Sequence, residues 1–289
     1  MTAHQRLRET RNDKRPLVPS GHMGEGAKVL VLVLSIDRDP WLTIEREGIR
    51  ATWAERSPLD SLAPVLYYRG SSNLRAKGFG AATAALSRAA RGRERSVSRR
   101  LRLAAIRVVG SRTAALPCRR DGDIIRTATP ETYGMLSAKL LAALRHVVAT
   151  EQFDYVLRTN SSTYIDRAGL VDHVQAAPAL RHYAGYHGTG DFGIFASGAG
   201  FIMSRDLVEA TIWRHADWDL GLVDDVSVGQ LLAQMGVTPV HLQRPQIRTA
   251  EEARAAHLDK AFMWRCKTFG DNRTDADLMR ILHRRLAPA

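Results

Sequence analysis

The chain has 289 residues, 45% of them hydrophobic and 25% charged, and a net charge of +12. These proportions suit a soluble globular protein with one α/β domain or two smaller ones, and no apolar run nears the roughly 20 residues that cross a bilayer. Cys118 and Cys266 lack any C-x-x-C spacing, so neither a zinc site nor a disulfide framework is expected, and a reducing cytoplasm is the default location.

Residues 1–27, polar and basic from Arg6 to Arg15, lack the apolar core of a secretory signal. They read as a disordered leader, with Met23 as an alternative start. Lys28-Val-Leu-Val-Leu-Val-Leu-Ser35 is a continuous apolar run of strand length, the pattern of a strand covered on both faces. Asp37-Arg-Asp-Pro40 breaks it, and a helix is expected through Ile44 and Ile49 to Trp53. Val65-Leu-Tyr-Tyr68 is a second strand, stopped by Gly70-Ser-Ser72. Between Arg75 and Arg120 stand thirteen Arg or Lys against one acid, Glu94, so this segment alone accounts for the net charge.

That Arg-rich insert, about 75–120, should hold helical pieces around Ala81–Ala90 and Arg99–Val109. It reads as a solvated hairpin or as a surface for an anionic partner: an anionic acceptor, a phospholipid surface at the inner membrane face, or nucleic acid. No nucleic-acid motif or interleaved aromatic pattern accompanies it, so nucleic acid is not the expected partner.

Asp123-Ile-Ile125 is a short third strand. Residues 132–149 form a helix whose Leu136, Leu140, Leu144 and Val147 share one face. Tyr155–Thr159 is a buried strand that delivers Asn160, and Gly169–Val174 starts another helical piece. Gly185–Gly193, with His187 and Asp191, has the composition of a loop. Phe195-Ala-Ser-Gly-Ala-Gly-Phe-Ile-Met203 reads as a strand, Asp206–Arg214 as a helix, Val223 to near Gly236 as a helix and Val237–Leu242 as a late strand. The alternation predicts an α/β fold: one domain over 28–289, with a central, mixed but mostly parallel sheet flanked by helices.

Several of these residues could carry chemistry. A loop past a strand's carboxyl end is where open α/β sheets bind ligands, and Asn160-Ser161-Ser162 sits there. Its amide and hydroxyls can hydrogen-bond a sugar, but Mg²⁺ and Mn²⁺ want carboxylate oxygens. Turn formation alone also explains the three residues. Asp224-Asp225 precedes an apolar helix, so one aspartate is expected to cap it, leaving the other free as a general base. Ser197-Gly-Ala-Gly200 places two glycines in a strand, which marks a bulge or a ligand against the backbone. Arg46, Arg50, Lys139, Arg158, Arg265, Lys267 and Arg273 are candidate cations for a developing anionic charge. His182, His187 and His241 lack metal-ligand spacing and read as structural or acceptor-side.

Taken in order, five blocks resemble the inverting β-1,3-galactosyltransferase and N-acetylglucosaminyltransferase group, glycosyltransferase family 31, and its bacterial relatives. Arg46-Glu-Gly-Ile-Arg-Ala-Thr-Trp53 is similar to that family's R-x-A-I-R-x-T-W. Asp123-Ile-Ile125 with Tyr133-Gly-Met-Leu-Ser-Ala-Lys139 is similar to D-I-I and Y-x-N-L-T-x-K. Tyr155-Val-Leu-Arg-Thr-Asn-Ser-Ser162 falls where the family has Y-x-x-K-x-D-D-D. Ser197-Gly-Ala-Gly-Phe-Ile-Met-Ser204 is similar to S-G-x-G-Y-x-x-S, and Asp224-Asp-Val-Ser-Val-Gly229 to E-D-V-x-x-G. The blocks run from about residue 28 to 242.

The resemblance implies a GT-A-like fold and a nucleotide-sugar donor, usually a UDP-sugar. It also implies inversion in one displacement, with Asp225 as base and Arg50 and Lys139 facing the donor. Arg158, Asn160, Ser161, Ser162, Ser197, Gly198, Gly200 and Asp224 complete the expected donor site. The aspartate triplet is missing, and no late histidine stands in for a metal ligand. The expectation is therefore no metal cofactor, with Mn²⁺ and Mg²⁺ left open, and with Arg265, Lys267 and Arg273 neutralising the diphosphate. The acceptor is open among a glycan, a lipid-linked saccharide and a small natural product. The alternative is a non-catalytic nucleotide-sugar-binding protein.

Overall fold

The computed structural model describes residues 26–73, 78–82, 95–191, 193–270 and 273–286. The expected leader, except for its last two residues, and Met23 lie outside the described residues, as does Thr83–Ala90 of the first expected helix of the Arg-rich insert.

The sheet is built around β1 (Val29–Leu34). It lies between β2 (Val65–Ser71) and β5 (Tyr155–Asn160), parallel to both. Alternation sorts its side chains: Leu30 and Leu32 enter one core, Val29, Val31 and Val33 the other. Two covered faces are why the run is apolar throughout. The remaining strands are β3 (Arg119–Asp121), β4 (Ile124–Pro130), β7 (Tyr183–Gly188), β8 (Phe195–Ser204) and β9 (Val240–His241), in the order β3-β4-β2-β1-β5-β8-β7-β9. Four of the seven pairings are parallel. The mixed, mostly parallel α/β sheet flanked by helices is as expected.

One face carries α3 (Leu136–Thr150), whose Leu140, Leu144 and Val147 are buried. Against α3 packs α2 (Arg95–Ala114), through Ile106, Gly110 and Ala114. The Arg-rich stretch thus contributes a packed helix, with Arg107 paired to Asp219. The other face is covered by α1 (Trp41–Thr43), which runs into a π-helical segment, Ile44–Arg50, and by α8 (Asp275–Leu286). Further helices are α4 (Arg167–Ala176), α5 (Arg205–Trp213), α6 (Asp224–Gln234) and α7 (Ala250–Ala255).

Four differences from expectation have physical causes. The first half of Gly185–Gly193 is strand β7, an inner neighbour of β8 and β9; its glycines and histidines hide the pairing. The late strand shortens to Val240–His241, at the sheet's edge. The helix expected through Trp53 gives way to turn structure after Arg50. A second small sheet pairs β6 (Thr163–Ile165) with β10 (Met263–Arg265), and setting Arg265 opposite Thr163 is what brings the late chain to the end of β5.

His182, 5% exposed, lies edge-on to the Tyr155 ring, with its Nε2 3.3 Å from that of His173. Burial, then the neighbouring His173, push its pKa from 6.5 down to about 4. The folded state therefore resists a proton that the unfolded chain accepts, and stability falls as pH drops from about 6.5 towards 4. His182→Gln should flatten the decline of the melting temperature between about pH 6.5 and 5, as followed by circular dichroism.

Candidate functional site

β1 and β5 end side by side, with Leu34 opposite Asn160. An open cleft of about 300 Å³ lies at those carboxyl ends. Six segments converge on it, one of them the entry to α3 with Tyr133 and Leu136. Ile36 and Trp41 come from the chain after β1, and Asn160, Ser161 and Ser162 from the turn after β5. Ser197 and Gly198 come from β8, Asp224 and Asp225 from the start of α6, and Arg265 and Lys267 from the end of β10 and just beyond.

The cleft is organised by a buried cation. Arg158 points out of β5 and is 2% exposed. Its Nη2 lies 2.5 Å from Asp224 Oδ2. Its Nε donates to Tyr68 Oη at 3.1 Å, and its Nη1 donates to the Gly198 carbonyl. Burial alone would pull this guanidinium down. Asp224, Tyr68 and Asp225 more than reverse that and hold its pKa above the ordinary value. Arg158 and Asp224 thus wall the cleft but spend their charges on each other.

Gly198 is the meeting point. Its N–H donates to Asp225 Oδ2 at 2.7 Å, and its carbonyl also accepts from Asn160 Nδ2 at 3.2 Å. A Cβ there would sit 2.8 Å from Arg158 Nη1 and 3.0 Å from Asp225 Oδ2. Only glycine lets the base candidate and the buried arginine close on one peptide.

Neither aspartate is the N-cap of α6. Val223 holds that position, and Asp224 and Asp225 occupy the first turn, where negative charge suits the helix dipole. Asp225 is half-buried, and its Oδ1 accepts from the Val226 N–H at 2.9 Å. Each of its oxygens keeps a further lone pair for a ligand proton.

The turn after β5 is both structural and exposed to the cleft. Asn160 Oδ1 accepts from the Ser162 N–H at 3.0 Å and from Thr163 Oγ1 at 3.3 Å, an Asx turn of the kind its composition favours. Ser162 Oγ accepts from Arg273 Nη2 at 2.9 Å. Opposite, Arg265 and Lys267 face the cleft, and among the described residues neither has a salt-bridged carboxylate of its own. Arg265 is held below its ordinary pKa first by burial, with Asp225 pulling the other way and Arg273 and Arg158 adding repulsion. Lys267 is lowered by burial and then by Arg265 and Arg273.

Four expected donor residues do not line the cleft. Arg50 stacks on Tyr67 at 3.9 Å and is tied to Asp123 at 2.5 Å and Glu45 at 2.8 Å. Glu45 also pairs with Arg69 at 2.6 Å, and so fixes the chain after β1. Lys139 is fully buried and bonds Glu131, whose other oxygen accepts from the Gly70 N–H at 2.6 Å. Gly200 gives room to Met263, whose Sδ would lie 2.6 Å from a Cβ there. Arg273 is paired with the buried Asp275 and lies 4.4 Å over Trp41. Arg46, the remaining cation candidate, also lies outside the lining, on the half of the molecule that packs against α8. Trp41 and Tyr133, which do line the cleft, went unsingled by sequence. Tyr133 lay within a quoted block, and Trp41 follows the break after β1.

No protein-family model matches the chain, and no curated protein matches it. Among solved structures it is similar to the mannosyltransferase PcManGT from Pyrobaculum calidifontis, in complex with GDP-Man and Mn²⁺. The identity is 14% and the TM-score 0.41, over 82% of this chain and 61% of that one. The chain thus spans about three fifths of that structure. A likeness this distant assigns no activity, so the family-31 resemblance rests on the five sequence blocks. Among the described residues, no group of three or more His, Cys, Asp or Glu is arranged to hold a metal, and no helix is long and apolar enough to cross a membrane.

Removing one partner of a buried ion pair leaves the other uncompensated, at about 3–5 kcal/mol. Asp224→Asn should lose stability of that order in urea unfolding, whereas Asp225→Asn, at a half-exposed carboxylate, should stay within about 1 kcal/mol of the parent.

Proposed function

We propose that the protein transfers a sugar from a nucleotide-sugar donor, a UDP-sugar first among candidates, to an acceptor hydroxyl, with inversion and without a metal ion. One observation carries this reading. The half-buried carboxylate of Asp225 and the cations Arg265 and Lys267, neither salt-bridged among the described residues, meet in one cleft at the carboxyl ends of parallel strands.

The chemistry follows from that juxtaposition. Asp225 takes the proton of the acceptor hydroxyl as its oxygen forms a bond to the anomeric carbon. The bond from that carbon to the diphosphate oxygen breaks, and the electron pair leaves with the nucleoside diphosphate. Arg265 and Lys267 offset the charge that gathers there, a role in which fixed cations act most strongly away from water. Asn160, Ser161 and Ser162 offer neutral donors and acceptors to the donor's sugars. Arg158 and Asp224 fix the position of Asp225 through Gly198. Trp41, braced by Arg273, supplies an apolar wall.

The reading is tested by following transfer and nucleotide release with UDP-, GDP- and dTDP-sugars in excess chelator. Wild type should turn over under those conditions, and Asp225→Asn should lose about 10²–10⁴-fold of the transfer rate while still binding donor. Full transfer by that variant would remove Asp225 as the base, and turnover that returns only with Mn²⁺ would remove the metal-free mechanism.

A further inference from the structure

Beyond β8 lies a cation, Arg244, that no acidic side chain among the described residues neutralises. Arg244 follows β9 by three residues, in the segment that meets β10. The Arg265 N–H donates to the Pro245 carbonyl at 2.9 Å, and the Ile247 N–H donates to the Arg265 carbonyl at 2.8 Å. Arg244 is thus held beside Arg265 by backbone pairing. Its guanidinium lies 4.6 Å over the Tyr186 ring. Its Nε and Nη1 are covered by protein and have no hydrogen-bond partner among the described residues. Burial and the charge of Arg265 push its pKa down to about 10, with only Tyr186 acting the other way.

A partly buried guanidinium without a counter-ion is costly, and an anionic ligand would complete it. The surroundings suit a sugar. Tyr186 is 39% exposed, its ring lies 5.4 Å from that of His241, and His241 stands 4.6 Å from His187. The sheet order sets β5 and its Asn160 turn on one side of β8, and β7 and β9 on the other. Asp225, bonded to Gly198 of β8, lies between the two.

We propose that Arg244, seated on Tyr186, recognises an anionic oxygen group, a carboxylate or a phosphate, on the acceptor. The word acceptor rests on the donor reading above, while the anion site stands on its own geometry. Arg265 then borders two anions, the donor's diphosphate on the Asn160 side and the acceptor's charge on the Tyr186 side. The acceptor of such an enzyme is a charged saccharide, one that bears a uronic-type carboxylate or a phosphate.

The test is a titration followed by NMR, with glucuronic acid, glucose 6-phosphate and glucose as probes and UDP in parallel. Wild type is compared with Arg244→Gln and Arg244→Lys. At least one charged probe should bind wild type about tenfold or more tighter than glucose, in line with one charge-assisted hydrogen bond. The better probe tells carboxylate from phosphate. Arg244→Gln should erase the preference and Arg244→Lys should keep part of it. Both should leave UDP binding within about twofold and melt no lower than the parent, since Arg244→Gln removes an uncompensated charge. The proposal is overturned if neither charged probe outbinds glucose, if Arg244→Gln keeps the preference, or if that variant weakens UDP as much as the probes. Charged probes that bind through Arg244 while UDP does not bind at all would leave the anion site standing and remove the donor reading.

Discussion

The interaction on which the site depends is the buried pair of Arg158 and Asp224. A guanidinium 2% exposed in the middle of a sheet must be matched by charge and hydrogen bonds. The partners that match it come from three places: Tyr68 of β2, the Gly198 carbonyl of β8, and Asp224 of α6. Satisfying one cation therefore fixes the start of α6 against the end of β8. Asp225 follows Asp224 by one residue, so its position is a consequence of the same requirement, completed by the Gly198 N–H.

A second consequence concerns charge balance across the cleft. Asp224 is consumed by Arg158, Asp275 by Arg273 and Glu131 by Lys139. Among the described residues, the cations left over at the cleft and its border are Arg265, Lys267 and Arg244; Arg265 repels the other two, and all three sit partly out of water. A cluster of that kind favours anions. The turn Asn160-Ser161-Ser162 adds neutral polar groups, and the positive charge comes from Arg265 at the end of β10, Lys267 just beyond it and Arg244 before it. That distribution is the basis of the proposal that side chains alone hold a diphosphate.

Much of this was legible in the sequence, for particular reasons. The run of β1 betrayed a strand covered on both faces, and the leucines of α3 betrayed its packed side, because burial dictates composition there. Arg265 and Lys267 were expected near the donor site, and the register of β10 on β6 brings them to the turn after β5. Other expected donor residues lie away from the cleft, where a residue's use depends on a distant partner. Arg50 and Lys139 sit in blocks that resemble donor-binding motifs, yet Asp123, Glu45 and Glu131 occupy them. Gly200 serves Met263 from the far end of the chain. Strand β7 was hidden because its glycines and histidines read as loop, and Arg244 was passed over because nothing in its neighbours along the chain marks it as unpaired. Local patterns report burial and turn chemistry, whereas ion pairing between remote segments is settled only by the fold.

The most direct test of the central claim is a calorimetric titration of UDP into the protein in excess chelator, with wild type beside the Arg265→Ala, Lys267→Ala double variant. If these two cations hold the diphosphate, wild type binds without metal and the double variant binds about tenfold or more weakly, as expected for lost charge-assisted hydrogen bonds. Binding that requires Mn²⁺, or that is unchanged in the double variant, would contradict the account.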